Sequence, residues 1–509
     1  MKRQKQIPKS YWVPLLAVAF TILYLAFPTN NSSVDAYYYA ASVKYNGELF
    51  HPHHLLYNVT FRLFFNLPFF NSEEIDILQG MKMVNSFIGG LCLFLFSLLL
   101  KRTGRSIKEI FGIILLTGSS FVVMRYSSEN EVYLIPLAFS LSSSVIYQDY
   151  LKSRSLTRLL ISGLLASIAV LYHQIGMFWW LGLFIGLIFF RHSWKLKLVF
   201  VTTAIPVILI YSIVVFRLPE FENNFTGIFK FALRDYLSSG FDKTPGWENL
   251  FFTPVNLIRS FIQIHGYIFR MIGKNILWII PGLVSMLLIG VVFGRKGFLI
   301  GKTELVNRPF FITHLLILGF CIVFAFFAEG NAEFMVMVPF LGFLILFSKI
   351  KIRDRSMILF GIALLVWNVS YGLIPRNNFE FTNYSMLQSW IKKNPDATFV
   401  LKSDQQVISR LYYQSEIEVY PQIIKSPSSL IRRGGNVEDI YSKLDKLIAR
   451  GNHIYTDCVE YPGILSRQGV IDTSEDDYFF TGYEYESVDS VETLFGTFFL
   501  HRICNRERH

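Results

Sequence analysis

About eleven apolar windows, each long enough to cross a hydrocarbon core about 30 Å thick, recur along this chain. They fall at roughly 12–27, 83–100, 109–124, 131–148, 157–171, 175–190, 196–216, 275–293, 309–327, 332–348 and 356–373. A chain with this pattern folds in a bilayer. Composition agrees: 52% of residues are hydrophobic and only 17% charged, where soluble domains hold about 45–50% and about 25%. The mean hydropathy is +0.40. The 50 Phe, 26 Tyr and 8 Trp are spread through the apolar runs, which excludes a disordered or collagen-like chain. No solenoid repeat is present.

The net charge of +11 is placed in short connectors. Lys101, Arg102, Arg105 and Lys108 form one group, and Lys152, Arg154 and Arg158 the next. Arg191, Lys195 and Lys197, then Arg295, Lys296, Lys302 and Arg308, then Lys349, Lys351, Arg353 and Arg355 follow on the same side. These are topology determinants, so that side is cytoplasmic and nucleic acid is not an expected partner. The basic start MKRQKQ precedes an apolar run without a small-residue cleavage site, which reads as a retained first span. The expected protein is multi-pass in a bacterial inner (plasma) membrane, with its N-terminus cytoplasmic and its C-terminus outside.

The segment 256–272 is interrupted by Arg259, Gln263, His265 and Arg270. It is expected as one amphipathic helix at the outer interface. Two external segments are long, 28–82 and 217–274. From about residue 376 the composition becomes that of a water-soluble domain, with strand signals at 398–401 and 453–456 and helix signals at 405–413 and 437–450. The expected fold is therefore mainly α: a polytopic helical membrane domain over 1–375 and a small extracytoplasmic α/β domain over 376–509. Cys92 and Cys321 lie in apolar runs, whereas Cys458 and Cys504 pair only if that tail is extracytoplasmic and brings them close.

Ionisable residues at span ends are costly unless solvated or paired, and here they gather on the external side. Asp35, in SSVDAYYYAA, is suited to serve as a general base toward a hydroxyl. It is equally suited to a solvated loop or a helix cap. His51, His53 and His54 offer imidazoles for a divalent metal, completed by Asp35, Glu129 or Glu131, but match no recognised zinc spacing. Hydrogen bonding at the interface is the other use for them. Glu131 opens a span, where the helix dipole alone favours an acid. His173 and Gln174 interrupt an almost continuous apolar stretch, as lining residues or as a turn.

The Asp in the first external loop, the HP segment of His51-Pro52 with Leu55-Leu56-Tyr57, the turn Glu131-Val132-Tyr133 and the late Glu333 with Pro339 resemble the GT-C superfamily of multi-span glycosyltransferases. The protein O-mannosyltransferase-like and aminoarabinose-transferase-like branches are most similar. The resemblance covers about 10–375. Asp35 is followed by Ala36, where the mannosyltransferases commonly carry a second acid, so the sugar stays open. The resemblance implies an inverting transfer from a polyprenyl-phosphate sugar donor to an acceptor lipid, glycan or protein on the extracytoplasmic face, with Asp35 catalytic. Substrate contacts are then expected from His51, His53, His54, Glu129, Glu131, Tyr133, His173, Gln174 and Glu333. The donor phosphate would meet Arg259, Arg270 and Lys274, with Arg217, Arg234 and Lys243 in reserve. No organic cofactor is expected, and the metal is unassigned. A polymerase or ligase using lipid-linked glycans, and a transporter or flippase, are the alternative classes. A transporter would be expected to show internal duplication and midplane charges.

Overall fold

In a computed structural model the described residues are 11–68, 76–234, 245–294, 299–302, 307–431, 434–462 and 474–506. Lys243, Arg295 and Lys296 lie outside them, as does the MKRQKQ start. The chain divides into two compact units. The first comprises Met1–Thr29, Asn46–Gln263 and Ile279–Ile374, and the second Asn30–Tyr45, Ile264–Trp278 and Pro375–His509.

Every apolar window of the first unit is helical. Among the described residues six helices are long and apolar enough to cross a membrane: Ile77–Arg102, Trp194–Val215, Ile276–Gly294, Arg308–Phe327, Ala332–Lys349 and Asp354–Asn378. The count is seven if Ile107–Ser119 and Phe121–Ser127, bent by 66°, form one span. The protein is thus integral to a membrane. Trp12–Ala26, Leu156–Tyr172 and Gly176–Phe189 are apolar but shorter, and Leu134–Ser153 is diluted by Ser140, Ser142, Ser143, Ser144 and Gln148. Helix length and composition thus show at least six spans among the described residues.

Local chemistry sets the helix ends. Asp76 caps Ile77–Arg102 by accepting from the Gln79 amide at 3.1 Å, and Lys101 and Arg102 occupy the last turn, where the dipole favours cations. Ser106 and Glu109 form a capping box at the start of Ile107–Ser119. Small residues bring helices close: a Cβ at Gly90 would lie 1.8 Å from the Thr21 hydroxyl oxygen.

The single amphipathic helix expected over 256–272 is two helices, Trp247–Arg259 and Tyr267–Lys274. The break has a physical cause within the first unit. Asn368 accepts from the Gln263 amide at 2.8 Å and donates to the Phe261 carbonyl at 2.7 Å, while the Trp367 indole donates to the Gln263 carbonyl at 2.8 Å. The Phe261 and Gln263 carbonyls and the Gln263 amide are thereby taken from any continuing helix.

The second unit contains a five-stranded sheet: β3 (Thr398–Leu401), β4 (Ile423–Lys425), β5 (Ile454–Thr456), β6 (Tyr483–Glu492) and β7 (Thr497–Arg506) in the order β4-β3-β5-β7-β6. A separate pair in the first unit, β1 (Leu299–Lys302) and β2 (Ile350–Ile352), is antiparallel. β4, β3 and β5 are parallel, and β5, β7 and β6 antiparallel. Alternation along β3 sends Phe399 and Leu401 to one face with Leu387, Ile391, Val407 and Leu411. Val400 goes to the other, with Ile440, Leu444 and Phe480. Helices Tyr384–Lys393 and Asp404–Ser415 cover the first face, and Val437–Ala449 and Ser474–Phe480 the second. Helix Val34–Tyr45 packs on Asp404–Ser415, anchored by Gln406, which donates to the Ser32 carbonyl at 2.9 Å. Cys458 and Cys504 are free thiols.

Candidate functional site

In the first unit, polar residues from five separate stretches of chain converge. Asn85, inside Ile77–Arg102, donates to the carbonyl oxygens of both Glu129 and Glu131 at 2.8 Å, which fixes the loop between Phe121–Ser127 and Leu134–Ser153. Tyr57 donates to Asn130 Oδ1 at 2.7 Å, and the Asn130 amide donates to Glu129 Oε1 at 2.9 Å. Glu129 and Glu131 are only 2% and 3% exposed. Ionised carboxylates survive such burial only with donors or cations at hand. Arg125 lies in electrostatic range of Glu333, Glu131 and Glu129.

Glu333 arrives from the turn after Arg308–Phe327. Gly330 has φ +67°, and a Cβ there would lie 2.5 Å from the Thr253 amide nitrogen, so this turn requires glycine. Asn331 accepts from the Glu333 amide at 3.1 Å and donates to its carboxylate at 3.3 Å. Tyr133 donates to the same carboxylate at 3.2 Å. The Tyr133 ring in turn lies 5.0 Å from that of His173.

His51 and His54 stack with centroids 4.4 Å apart and planes 4° from parallel. His53 donates through Nδ1 to Gln174 Oε1 at 3.1 Å. Gln174 Nε2 donates to the carbonyls of Pro52 and Ala232 and to the Tyr211 hydroxyl, at 2.9–3.1 Å. The 51–54 loop is thereby tied to the 173–174 turn. Burial pushes the His173 imidazole down to about 3, with His53 and His51 adding to the shift. Burial also holds His54 well below the ordinary histidine range, helped by His51, His173 and His53. Both rings are neutral at physiological pH and present one donor and one acceptor nitrogen each. Among the described residues no three His, Cys, Asp or Glu side chains are placed to hold a metal ion, so no ligand set is assigned.

All nine residues singled out for substrate contact thus belong to one connected cluster. The cations singled out for phosphate do not share one unit. Arg259, in the first, donates to Asn256 Oδ1 at 3.2 Å. Arg270 and Lys274 belong to the second, where Lys274 is ion-paired with Glu492 at 2.8 Å. Of the reserves, Arg217 follows helix Ile205–Val215 and Arg234 pairs with Glu48 at 2.7 Å. Asp35 also belongs to the second unit. It is exposed in the first turn of Val34–Tyr45, where Ser33 accepts from the Ala36 amide at 3.0 Å. An acid there is stabilised by the helix dipole.

Sequence reasoning missed Lys82 and Asn85. Lys82 is 2% exposed and donates to the Thr29 carbonyl at 2.7 Å. The signal was present: Lys82, Asn85 and Ser86 fall at helical spacing on one face of an otherwise apolar run.

No protein-family model matches the chain, and no curated protein matches it significantly. Among solved structures, the chain is similar to the Archaeoglobus fulgidus oligosaccharyltransferase in complex with Zn and sulfate, at 14% identity over 98% of this chain and 73% of that one, with a TM-score of 0.46. It is also similar to ArnT from Cupriavidus metallidurans. The apo form aligns at 9% identity over 97% of this chain and 98% of that one, with a TM-score of 0.42. The form bound to undecaprenyl phosphate aligns at 11% identity over the same shares, with a TM-score of 0.40.

Proposed function

We propose that this protein is an integral membrane glycosyltransferase that moves a sugar from a polyprenyl-phosphate donor to an acceptor hydroxyl on the extracytoplasmic face. The observation that carries the reading is the buried polar cluster of the first unit, assembled at the ends of apolar helices from carboxylates, neutral imidazoles, amides and tyrosine hydroxyls. Such a set offers donors and acceptors at several fixed positions, which suits a polyhydroxylated sugar next to a lipid phase. In the reaction the acceptor oxygen attacks the anomeric carbon, the bond from that carbon to the phosphate oxygen breaks, and its electron pair leaves with the phosphate. The acceptor proton passes to a carboxylate, for which Asp35 is the proposed base. Glu129, Glu131, Tyr133 and Glu333 are proposed to bind sugar hydroxyls, and Arg259, Arg270 and Lys274 to meet phosphate. Inversion at the anomeric carbon, a cytoplasmic N-terminus and an extracytoplasmic second unit complete the reading.

The test is Asp35→Asn in purified protein supplied with a lipid-linked sugar. Transfer should fall by about 10²–10⁴-fold at unchanged protein level and melting temperature. Full activity in that variant removes Asp35 from the mechanism.

A further inference from the structure

Arg410, on helix Asp404–Ser415 of the second unit, is a buried cation with no counter-ion among the described residues. It is 8% exposed, its Nε is sealed from solvent with no hydrogen-bond partner, and two aromatic rings lie against it. Its guanidinium carbon lies 4.8 Å from the centroid of the Tyr37 ring and 5.1 Å from that of Tyr384. Cation–π contact offsets part of the desolvation of the charge, but it supplies no acceptor for the Nε–H. Buried polar groups are as a rule bonded, and an exception calls for an explanation. The same unit shows how a buried cation is ordinarily handled. Lys402 pairs with Asp476, which also accepts from the amide and the hydroxyl of Ser428 at 2.7 Å.

The surroundings of Arg410 specify a ligand. Helices Val34–Tyr45 and Asp404–Ser415 bring tyrosines together in pairs, Tyr37 with Tyr413 at 6.1 Å and Tyr38 with Tyr412 at 5.9 Å. Tyr37, Tyr38 and Tyr413 are partly exposed. Lys44, which is exposed, lies 4.9 Å from the centroid of the Tyr413 ring and donates to its carbonyl at 3.2 Å. Glu418 accepts from the Tyr38 hydroxyl at 3.4 Å, and Glu416 also lies in electrostatic range of Tyr412. Partly exposed tyrosines offer an apolar face to the C–H face of a pyranose and a hydroxyl to its oxygens. A planar guanidinium offers a fork to a carboxylate.

We propose that this face of the second unit binds an anionic saccharide, with the rings of Tyr37 and Tyr413 against the sugar and the Arg410 guanidinium as the partner of its carboxylate. The proposal rests on the glycosyltransferase reading in one respect: it makes the acceptor a negatively charged glycan.

Saturation-transfer NMR on the full-length protein in detergent, without any donor, tests it. The probes are a hyaluronan tetrasaccharide, neutral chitotetraose and inorganic phosphate. The charged tetrasaccharide should bind at least about 10-fold more tightly than the neutral one, the increment of one charge-assisted contact. Arg410→Gln should abolish that preference. Arg410→Lys, which keeps the charge and protects against misfolding, should restore only part of it, because an ammonium lacks the fork. Tyr413→Ala should weaken both tetrasaccharides alike. Equal binding of charged and neutral probes, or an undiminished preference in Arg410→Gln, would overturn the proposal. Phosphate displacing the charged tetrasaccharide at equal concentration would also overturn it, since the site would then recognise a bare oxyanion. Because no transfer is read, the two readings fail separately. A chain that binds the charged probe but never turns over donor defeats the catalytic reading alone, and an active chain that does not bind it defeats this one alone.

Discussion

Arg125 in the first unit and Lys402 in the second are both cations withdrawn from water among carboxylates, yet they are satisfied in opposite ways. Lys402 is bonded to Asp476, whose oxygens are also taken by Ser428, and the neighbouring Asp457 accepts from the Lys402 amide at 2.8 Å and from Asn383 at 2.9 Å. That network is closed in the sense that every oxygen of both carboxylates has a donor, although Asn383 Oδ1 is unpaired. It lies just past the carboxyl ends of β3 and β5. In open α/β sheets this is where ligands commonly bind, but here the groups answer one another. Arg125 lies over the Tyr126 ring at 5.0 Å, within range of three carboxylates, and its sealed Nε has no hydrogen-bond partner. A closed network of charges rigidifies a fold, whereas an open one leaves a group unsatisfied, in keeping with the substrate contact proposed for the first-unit cluster.

The largest effect that separates the two is on stability. Asp476→Ala leaves Lys402 buried without its partner, and breaking such a pair costs about 3–5 kcal/mol. Hydrogen exchange of β3 and β5 in the intact protein should accelerate accordingly. The double change Lys402→Met with Asp476→Leu should recover part of the loss, because the apolar pair needs no partner while the Ser428 amide and hydroxyl still lose the acceptor they have in Asp476. Failure of the double change to recover would mean that the charges do something besides hold the sheet.

The first unit should respond the other way round. Glu333→Gln keeps an acceptor for Tyr133 and removes only the charge, so melting should shift little. Sugar transfer should fall by about 10- to 100-fold, the loss of one charged hydrogen bond to substrate. A variant that melts early and transfers normally would place this cluster with the closed network of the second unit.

How much of this was legible in the sequence follows the same division. The 3.6-residue and two-residue periods are local, so the helical windows and the segments at 398–401, 405–413, 437–450 and 453–456 fall on helices and strands. The polar residues at the span ends are legible as a set because apolar neighbours make them conspicuous, and nine of them meet in the first unit. What escaped is non-local. The break after Arg259 is made by Asn368 and Trp367, more than 100 residues away in sequence. The hairpin of β6 and β7 carries little alternation in β6, whose residues are mostly exposed. That Val34–Tyr45 belongs with the C-terminal residues is decided by packing on Asp404–Ser415, which no window discloses. Arg410 looks like any helix-face cation until its rings are seen.

The smallest effect concerns the neutral imidazoles. His173 is held at about 3 by burial, then by His53 and His51, whereas in the unfolded chain it titrates near its ordinary value of about 6.5. The folded state thus stays neutral where the unfolded state takes up a proton. Its contribution is complete above pH 6.5 and drains away as the pH falls toward 3, by about 1.4 kcal/mol per pH unit. His173→Asn removes the titration and leaves a side-chain oxygen for the Ile175 amide, which now donates to His173 Nδ1 at 3.1 Å. Unfolding followed in detergent at pH 7.5, 6 and 5 should show the wild type losing more stability than this variant, the gap opening only below pH 6.5. A gap of the opposite sign would mean that the imidazole is charged when folded. The cluster would then hold a second cation beside Arg125, and the first unit would contain a closed network after all.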